Sequence, residues 1–242
     1  MIMKYAYVTS FSPDGFELYG KKFLDTYLCY TEHPLFCYVE SPCAYESEQI
    51  FFYNLNEIKE FKDFLEKATF PAMNGYIWEN HYDYKFAATR FCRKHFSQIS
   101  AEKLAREQGY DWLIWLDADI EIGKPLPLPL GDNYLHFLGR PEWHSCASYV
   151  AWNLNHKQNS EWWNLLSTLY KTGAIFALPE WHDSYVNDWI RHQLKIDALN
   201  IAEPYKEQLK LNANVFDYVF EGSRHKKGAA RKAGQTKTKD LS

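Results

Sequence analysis

Cysteine is scarce in this sequence, and the few cysteines form no recognisable pairing pattern. They are odd in number and show no Cys-x-x-Cys spacing: Cys29, Cys37, Cys43, Cys92 and Cys146. A disulfide framework in a secreted protein normally uses an even set of cysteines. The pattern therefore argues against such a framework, and we expect a reducing compartment, the cytoplasm.

Long apolar runs are also missing. No stretch approaches the roughly 20 apolar residues that a membrane-spanning helix needs. The first residues, Met-Ile-Met-Lys-Tyr-Ala-Tyr-Val, lack the basic-then-apolar layout of a secretory signal. We therefore expect a soluble protein with no membrane span.

Aromatic residues and a divided charge are what the sequence has in quantity. Phe, Trp and Tyr make up 18% of the 242 residues, and such rings fill cores and stack on sugars or bases. The net charge of −4 is unevenly distributed, because the segment from Gly222 onward holds seven Lys or Arg and one Asp. An acidic body therefore carries a basic C-terminal tail.

Strand and helix patterns alternate along the chain. Short apolar runs predict strands, and apolar residues at helical spacing predict helices. The predicted strands are Tyr5–Ser10, Leu35–Val39, Trp112–Leu116, Tyr134–Leu138 and Tyr149–Leu154; the predicted helices cover 16–30, 56–68, 83–108 (with a possible interruption at 97–100) and 160–171. Gly109 and Gly173 are placed to end helices. This alternation predicts an α/β fold with an open, mainly parallel central sheet flanked by helices. We expect one domain, residues 1–221, followed by the basic tail, residues 222–242.

The most informative stretch is the apolar run Trp112–Leu116, which ends at Asp117 and Asp119. Residues two apart in an extended chain point to the same side, so both carboxylates can face one ligand. Two like charges at the end of a core strand are costly unless a cation lies between them. Oxygen ligands suit Mg²⁺ or Mn²⁺, which substrate phosphates often complete. A simple strand-ending role for the two carboxylates stays open.

Ligands of open α/β sheets bind beyond the carboxyl ends of the strands. Thr9 and Ser10 end the first predicted strand, so they are candidates to face the same crevice as Asp117 and Asp119.

A second polar group lies in Pro179-Glu180-Trp181-His182-Asp183-Ser184-Tyr185, just before an apolar-periodic stretch. Its His, two carboxylates and hydroxyl are residue types that catalyse acid–base and transfer chemistry. The alternative is structural: Asp183 or Ser184 caps the helix, and His182 is an exposed loop residue. Both readings are compatible, because a capped helix start is a stiff place for a catalytic group.

Taken together, Trp-Leu-Ile-Trp-Leu-Asp-Ala-Asp and the later Glu-Trp-His-Asp resemble glycosyltransferases of the GT-A (Rossmann-like) fold. The second motif is similar to the Trp-His-Asp-Glu-Ser segment of the blood-group A/B and α-galactosyl transferases. The resemblance implies a metal-dependent hexosyl- or pentosyltransferase using a nucleotide-diphosphate sugar, with UDP the usual nucleotide. It also implies Asp117 near the ribose and the metal, and Asp119 on the metal.

The same resemblance implies that Glu180, His182 and Asp183 line the donor-sugar and acceptor pocket. Ser184 stands where that family has a Glu proposed as nucleophile or cation stabiliser. The departure puts a retaining double displacement in question, and it leaves open an inverting route with Asp183 as base.

Many GT-A enzymes complete the metal shell with a C-terminal His, which points here to His225 as a metal ligand and to Lys226 as a diphosphate ligand. The alternative is a disordered basic tail. Arg90 and Lys94, with Arg93 between them, precede the Trp112 strand and are further candidates for the diphosphate. The alternative for these three is the wet face of a helix.

A saccharide is the default acceptor of the fold. The second option is a hydroxymethylated base in DNA, as in some phage enzymes, because a cytoplasmic protein with stacking aromatics and a basic tail suits DNA. The acidic body does not. Two other classes stay open: a metal-dependent phosphatase, and a nucleotide-sugar-binding protein without turnover.

Overall fold

The structure, a computed structural model, describes residues 2–78, 81–209 and 214–226. The strands in chain order are β1 Tyr5–Phe11, β2 Leu35–Val39, β3 Ile50–Asn54, β4 Tyr76–Trp78, β5 His81–Tyr82, β6 Trp112–Leu116, β7 Ile120–Glu121, β8 Leu135–Arg140, β9 Trp143–Asn153, β10 Ala198–Asn200 and β11 Arg224–His225. The helices are α1 Pro13–Gly15, α2 Lys21–Tyr30, α3 Lys59–Lys67, α4 Ala88–Glu107, α5 Asn159–Thr172, α6 Asp183–Gln193 and α7 Val215–Val219. A π-helical segment, Phe16–Gly20, joins α1 to α2.

Seven strands form the central sheet, in the order β10-β8-β9-β6-β1-β2-β3. Its pairs are parallel except for those that β9 makes with β6 and β8. The predicted α/β class with an open, mainly parallel sheet flanked by helices is confirmed.

Both faces of the sheet are covered by helices. Along β6, Leu113 and Trp115 pack into one apolar cluster, with side chains of α3, α4, α5 and α6. Trp112, Ile114 and Leu116 pack into the other, with side chains of α2 and α7. All five residues are buried. The unbroken apolar run in the sequence is therefore explained by burial on both faces.

The boundaries of the helices differ from the sequence predictions in one important place. The helix predicted over 83–108 begins at Ala88, because Tyr84–Phe86 forms a separate short 3₁₀ turn capped by Asp83. The expected interruption near Ser97–Ser100 does not occur. Instead, the buried Ser97 Oγ donates to the carbonyl oxygen of Arg93, one turn back (2.7 Å). Helix α4 is thus one continuous element of 20 residues.

Gly109 ends α4 with a φ of 71°, and Gly173 ends α5 with a φ of 77°, as the sequence predicts. Strands β3 and β10, by contrast, were not predicted. Among the residues described, no helix combines the length and apolar character needed to cross a membrane.

The direction of the connections reverses between two central strands. From β1 the chain moves outward through β2 to β3, whereas β6 lies on the other side of β1. In open α/β sheets such a reversal opens a crevice at the carboxyl ends of the two strands. The ends of β1 and β6 are the positions occupied by Ser10 to Ser12 and by Asp117 to Asp119.

Candidate active site

A cavity of about 420 Å³ lies at this reversal. Its walls come from the carboxyl ends of β1, β2 and β6, from the first turns of α4 and from the start of α6: Ser10, Phe11, Ser12, Tyr19, Glu40, Leu55, Thr89, Arg90, Phe91, Arg93, Lys94, Trp115, Asp117, Ala118, Asp119 and Asp183. The two predicted polar groups, around Asp117 and around Asp183, therefore meet in one cavity.

Asp117 and Asp119 of this cavity form a candidate metal-ligand group with the buried His225, which is not itself part of the cavity lining. His225 Nε2 lies 3.1 Å from Asp119 Oδ1 and 3.6 Å from Asp117 Oδ2. One ligand atom of each residue lies within 4.8 Å of the others. Two carboxylate oxygens and one imidazole nitrogen are a donor set that Mn²⁺ accepts, and their convergence fits a single ion.

His225 reaches the carboxylates because the C-terminal segment pairs with the chain that follows them. Strand β11 runs antiparallel to β7, with His225 opposite Ile120. The backbone N–H of His225 donates to Asp217 Oδ1 (2.8 Å), and Asn214 Nδ2 donates to its carbonyl oxygen (2.7 Å). These two bonds to its backbone fix the position of His225 and therefore of its imidazole.

The charge around His225 favours a cation. Burial lowers the pKa of His225, but its hydrogen bonds to Asp119 and Cys146 and the two carboxylate charges outweigh burial and raise it to about 9. The two carboxylates therefore favour the protonated form of the His225 ring. A bound divalent ion would replace that proton, because a metal ligand must be a neutral imidazole.

Lys94 links the metal-ligand group to Asp183. Its buried ammonium donates to Asp117 Oδ1 (2.8 Å), to Asp183 Oδ2 (2.8 Å) and to the carbonyl oxygen of Ala147 (2.5 Å). It also lies 4.7 Å from the centre of the Trp115 ring. A lysine has three donors, and these contacts use all of them. The alternative, a solvent-facing position on the helix, is wrong for Lys94, and the predicted diphosphate contact would require one of the three bonds to break.

Asp183 is kept ionised by this arrangement. Burial raises its pKa, but the Lys94 ammonium and the contacts with His182 outweigh burial and hold the pKa well below the ordinary value for aspartate. Its second oxygen, Oδ1, accepts the backbone N–H of Ser184 (2.8 Å). Asp183 begins α6 rather than capping it. The residue is an anion fixed at the cavity wall.

The cap of α6 is His182, not Asp183 or Ser184. His182 Nδ1 accepts the backbone N–H of Tyr185 (3.4 Å), and Nε2 contacts Glu180 Oε2 (2.8 Å). Its side chain is only 5% exposed, so the alternative of an exposed loop histidine is wrong. Glu180 is further held by Lys85 (2.8 Å).

Some predicted residues line the cavity and others do not. Ser10 and Arg90 line it, whereas the buried Thr9 hydroxyl donates to the carbonyl oxygen of Leu116 (2.7 Å). Glu180, His182 and Ser184 are outside the lining, so of that predicted group only Asp183 reaches the cavity. Lys226 pairs with Glu121 (2.7 Å), and its backbone N–H donates to the carbonyl oxygen of Asp119 (3.1 Å). The tail beyond it, residues 227–242, lies outside the described residues.

Glu40 is a cavity residue that the sequence analysis did not select. It follows β2 directly. Arg93 donates two hydrogen bonds to its carboxylate, from Nε to Oε1 (2.7 Å) and from Nη2 to Oε2 (2.9 Å). The strand-end rule that selected Ser10 would also have selected Glu40.

Comparison with solved structures now adds to this geometry. The chain is similar to the bifunctional glycosyltransferase WbbM, with a TM-score of 0.51 and 11% identity over 94% of this chain and 46% of that one. It is also similar to the glycosyltransferase GlyE of Streptococcus pneumoniae TIGR4, with a TM-score of 0.45 and 13% identity over 100% and 52% of the two chains. Mouse xyloside xylosyltransferase 1 gives a TM-score of 0.46 and 11% identity over 93% and 98%.

The chain thus spans about half the length of the first two of these structures. No protein-family model matches it, and no curated protein matches it in sequence. At this identity a likeness shows the fold alone. The fold, a mainly parallel seven-stranded sheet between helices, is that of the GT-A glycosyltransferases.

Proposed function

We propose that this protein is a metal-dependent glycosyltransferase that moves a sugar from a nucleotide-diphosphate donor to a hydroxyl acceptor. The observation that carries the proposal is the shared cavity, where the Asp117–Asp119–His225 group and Asp183 are joined through Lys94. A transfer reaction at a nucleotide sugar needs a cation at the diphosphate and an anion near the sugar carbon. The cavity places two carboxylate ligands for a cation, Asp117 and Asp119, next to the carboxylate of Asp183.

In this proposal Asp117, Asp119 and His225 hold Mn²⁺ or Mg²⁺. The bound ion would supply Lewis-acid stabilisation of the negative charge that develops on the leaving diphosphate. The protein's own part is to fix the ligands, which the pairing of β11 with β7 does for His225. Arg90 at the cavity wall and Lys226 beside the metal ligands remain proposed diphosphate contacts.

Asp183 is the proposed group that faces the sugar. Breaking the bond between the sugar carbon and the phosphate oxygen builds positive charge on the sugar ring, and a fixed carboxylate stabilises that charge. A pKa held well below the ordinary value makes Asp183 a weak proton acceptor. We therefore favour charge stabilisation or nucleophilic attack by Asp183 over the inverting route in which it acts as base.

Lys94 is proposed as a positioning residue. Its ammonium lies 2.8 Å from both Asp117 and Asp183, so it fixes the distance between the metal side and the sugar side of the site. Its positive charge also offsets part of the repulsion between the carboxylates of Asp117 and Asp183. Glu180 and His182 support the acceptor side, because His182 is bonded to Glu180 and caps the helix that starts with Asp183.

A saccharide is the proposed acceptor. The DNA alternative drew on the basic tail, most of which lies outside the described residues. Exposed aromatic side chains stand near the acceptor side: the ring of Tyr84, 46% exposed, lies 5.4 Å from the ring of His182. Such a ring suits stacking on a pyranose face.

The test is a thermal-shift panel of UDP-, GDP-, CMP- and dTDP-sugars with and without Mn²⁺, followed by product analysis. A stabilising shift that needs both the metal and one nucleotide sugar, with sugar transfer or slow sugar release, is expected. Phosphate release from simple monoesters would instead identify a phosphatase. Metal-dependent binding without transfer or hydrolysis on any saccharide acceptor would identify a binding protein.

A further inference from the structure

A second cavity, of about 260 Å³, lies at the carboxyl ends of β8 and β10, on the far side of β9 from the metal-ligand group. We call it the lateral cavity; its walls include Phe137, Arg140, Trp143, Asp188, Arg191 and Glu203. We propose that the lateral cavity binds one acidic sugar unit of the acceptor, a unit that carries a carboxylate. The inference rests on the proposed function, because it takes the ligand to be part of the acceptor saccharide. It adds the charge of the acceptor and a place of recognition outside the reacting centre.

Arg140 and Trp143 form the ligand-facing pair of the lateral cavity. They lie directly opposite each other where β8 and β9 meet, so their side chains share one face of the hairpin. Trp143 is 58% exposed, and Arg140 Nε donates to the carbonyl oxygen of His144 (2.6 Å). Among the residues that the structure describes, Arg140 has no carboxylate partner, and Glu142 in the intervening turn is not part of the lining. The terminal nitrogens of Arg140 therefore remain available to an anionic ligand.

The other charged residues of the lateral cavity are paired. Arg191 donates to Asp188 Oδ1 (3.0 Å), and Lys206 donates to Glu203 Oε1 (3.2 Å). Among the charged residues described in the lining, Arg140 is therefore the surplus cation. One surplus positive charge matches a carboxylate, whereas a phosphate monoester carries about −1.5 to −2 at pH 7.

The floor of the lateral cavity is fixed before any ligand binds. The Arg191 guanidinium lies 4.2 Å from the centre of the Phe137 ring. Ser145 donates to Asp188 from its backbone N–H (2.8 Å) and from its hydroxyl (2.6 Å). Together with the bond from Arg191, these contacts hold the Asp188 carboxylate in one place and offset its charge. A site built in this way loses little freedom when a ligand binds.

Helix α6 connects the lateral cavity to the catalytic cavity. It begins with Asp183 and reaches Arg191 eight residues later, a distance of about 12 Å at 1.5 Å per residue. His144 lies between the two cavities, because its ring is 5.3 Å from the ring of His182 and its Nδ1 is 3.8 Å from Asp188 Oδ2. A single sugar ring cannot reach both ends of this path. The lateral cavity therefore suits a unit of the acceptor beyond the one that reacts at Asp183.

The size and lining of the lateral cavity suit one sugar ring. Its volume is just below the range of about 300–1,000 Å³ that is typical for drug-sized ligands. The face of Trp143 offers a surface on which a pyranose ring stacks. The planar guanidinium of Arg140 offers donors that match the two oxygens of a carboxylate. An acidic sugar uses both features at once, whereas a neutral sugar uses only the first.

The experiment compares sugars that differ only by a carboxylate. The ligands are the methyl glycosides of glucuronic, galacturonic and mannuronic acid and those of glucose, galactose and mannose. Binding to the full-length protein is measured by NMR titration in EDTA without nucleotide, so that no metal ion recruits the carboxylate. We expect at least one acidic glycoside to bind about 10-fold to 100-fold more tightly than its neutral counterpart, the range of hydrogen bonds to charged groups. In Arg140→Gln that preference should fall to about threefold or less, because the charge-assisted bonds are lost.

Two further variants separate stacking from charge. Trp143→Ala should weaken the acidic and the neutral member of a pair alike, by about twofold to tenfold, and leave the preference unchanged. Arg106→Gln is the matched control, since Arg106 is an exposed arginine near the end of α4 and is not part of this lining. It should keep both the affinity and the preference of the wild type.

Equal binding of the acidic and neutral members of every pair by the wild type would overturn the inference. A preference that survives in Arg140→Gln would also overturn it, because the carboxylate would then be bound elsewhere. The proposed function has its own outcome. If acidic glycosides bind through Arg140 but no nucleotide sugar binds with Mn²⁺, the proposed function fails while the site for acidic sugars stands. If sugar transfer occurs and no acidic glycoside is preferred, the inference alone fails.

Discussion

Among the residues that the structure describes, two groups combine histidine with carboxylates at similar spacing, and they differ in what they can hold. One is Asp117, Asp119 and His225; the other is His144, Glu180 and His182. In each group the ligand atoms of all three residues lie within 4.8 Å of one another. Residue type and distance alone would assign a metal ion to both.

The hydrogen bonds around each group separate them. In the second group, His182 Nδ1 accepts the Tyr185 N–H, so the proton of the neutral ring is on Nε2 and points at Glu180. A metal at Nε2 would require the proton of the neutral ring to move to Nδ1, where it would face the Tyr185 N–H. Glu180 is further neutralised by Lys85. Burial raises the pKa of Glu180, but the bonds from Lys85 and His182 bring it below the ordinary value.

In the first group the surrounding charges favour a cation. His225 Nε2 faces two carboxylates, and its pKa of about 9 reflects a demand for positive charge at that nitrogen. Lys94 offsets one charge of the pair through Asp117 Oδ1, which leaves Asp119 and His225 facing the proposed position of the ion. The comparison teaches that counter-charge and tautomer, more than ligand spacing, decide where a cation binds.

The largest expected effect comes from breaking the first group. Asp119→Asn should remove Mn²⁺-dependent nucleotide binding and lower the rate of transfer by roughly 10³-fold, since the leaving diphosphate loses its main charge stabilisation. Calorimetric titration with Mn²⁺ and a transfer assay measure the two quantities.

His144→Ala is the matched control in the second group. It removes a ligand-type side chain from the other three-residue group, and the affinity for Mn²⁺ should stay within about twofold of the wild type, a difference of less than half a kcal/mol. A similar loss of Mn²⁺ affinity in both variants would show that the distinction between the two groups is wrong.

The next effect concerns Asp183, the carboxylate that Lys94 joins to Asp117. Asp183→Asn should lower kcat by roughly 10²-fold to 10³-fold while changing donor affinity much less, because the stabilised charge appears only in the transition state. Steady-state kinetics at saturating donor would separate the two constants. A loss of thermal stability with unchanged kcat would support a purely structural role at the start of α6.

The sequence predicted the parts of this site that depend on local pattern. The run Trp112–Leu116 is uniformly apolar because helices cover both faces of β6, so its end at Asp117 was recognisable. Lys94 was different. Its three partners lie 23, 53 and 89 residues away along the chain, and helical periodicity assigns such a lysine to the solvent face. Only the packing of α4 against β6, β9 and α6 makes it a buried link.

The affinity of the first group for a metal ion should also depend on pH. With a metal-free pKa of about 9, His225 must lose a proton before it can bind an ion. The affinity for Mn²⁺ should therefore rise roughly tenfold per pH unit, about 10²-fold between pH 7 and pH 9, and then level off. Titrations in non-coordinating buffers would measure this slope. In His225→Gln it should disappear.

The same shift predicts a stability change of the opposite sign in the metal-free protein. The folded pKa of about 9 lies above the unfolded value of about 6.5, so the stabilisation is fully present below pH 6.5 and is lost as pH rises through 9. Its upper limit is about 3 kcal/mol at 1.4 kcal/mol per pKa unit. Urea unfolding of the wild type and His225→Gln between pH 6 and pH 10 would reveal it. Parallel curves for both proteins would contradict the assignment.

The smallest expected effect tests how the first group is assembled across the fold. A Cβ on Gly123 would collide with the backbone carbonyl oxygen of Gly222, just before the strand that carries His225. Gly123→Ala should therefore displace this segment and weaken Mn²⁺ binding by several-fold up to about tenfold, the lower end of effects from groups that orient a ligand. Gly109→Ala is the control: its φ of 71° makes alanine strained, but a Cβ there meets nothing within 4 Å. It should cost about 1 kcal/mol of stability without changing Mn²⁺ affinity. If Gly123→Ala behaves like Gly109→Ala, the close contact does not position His225.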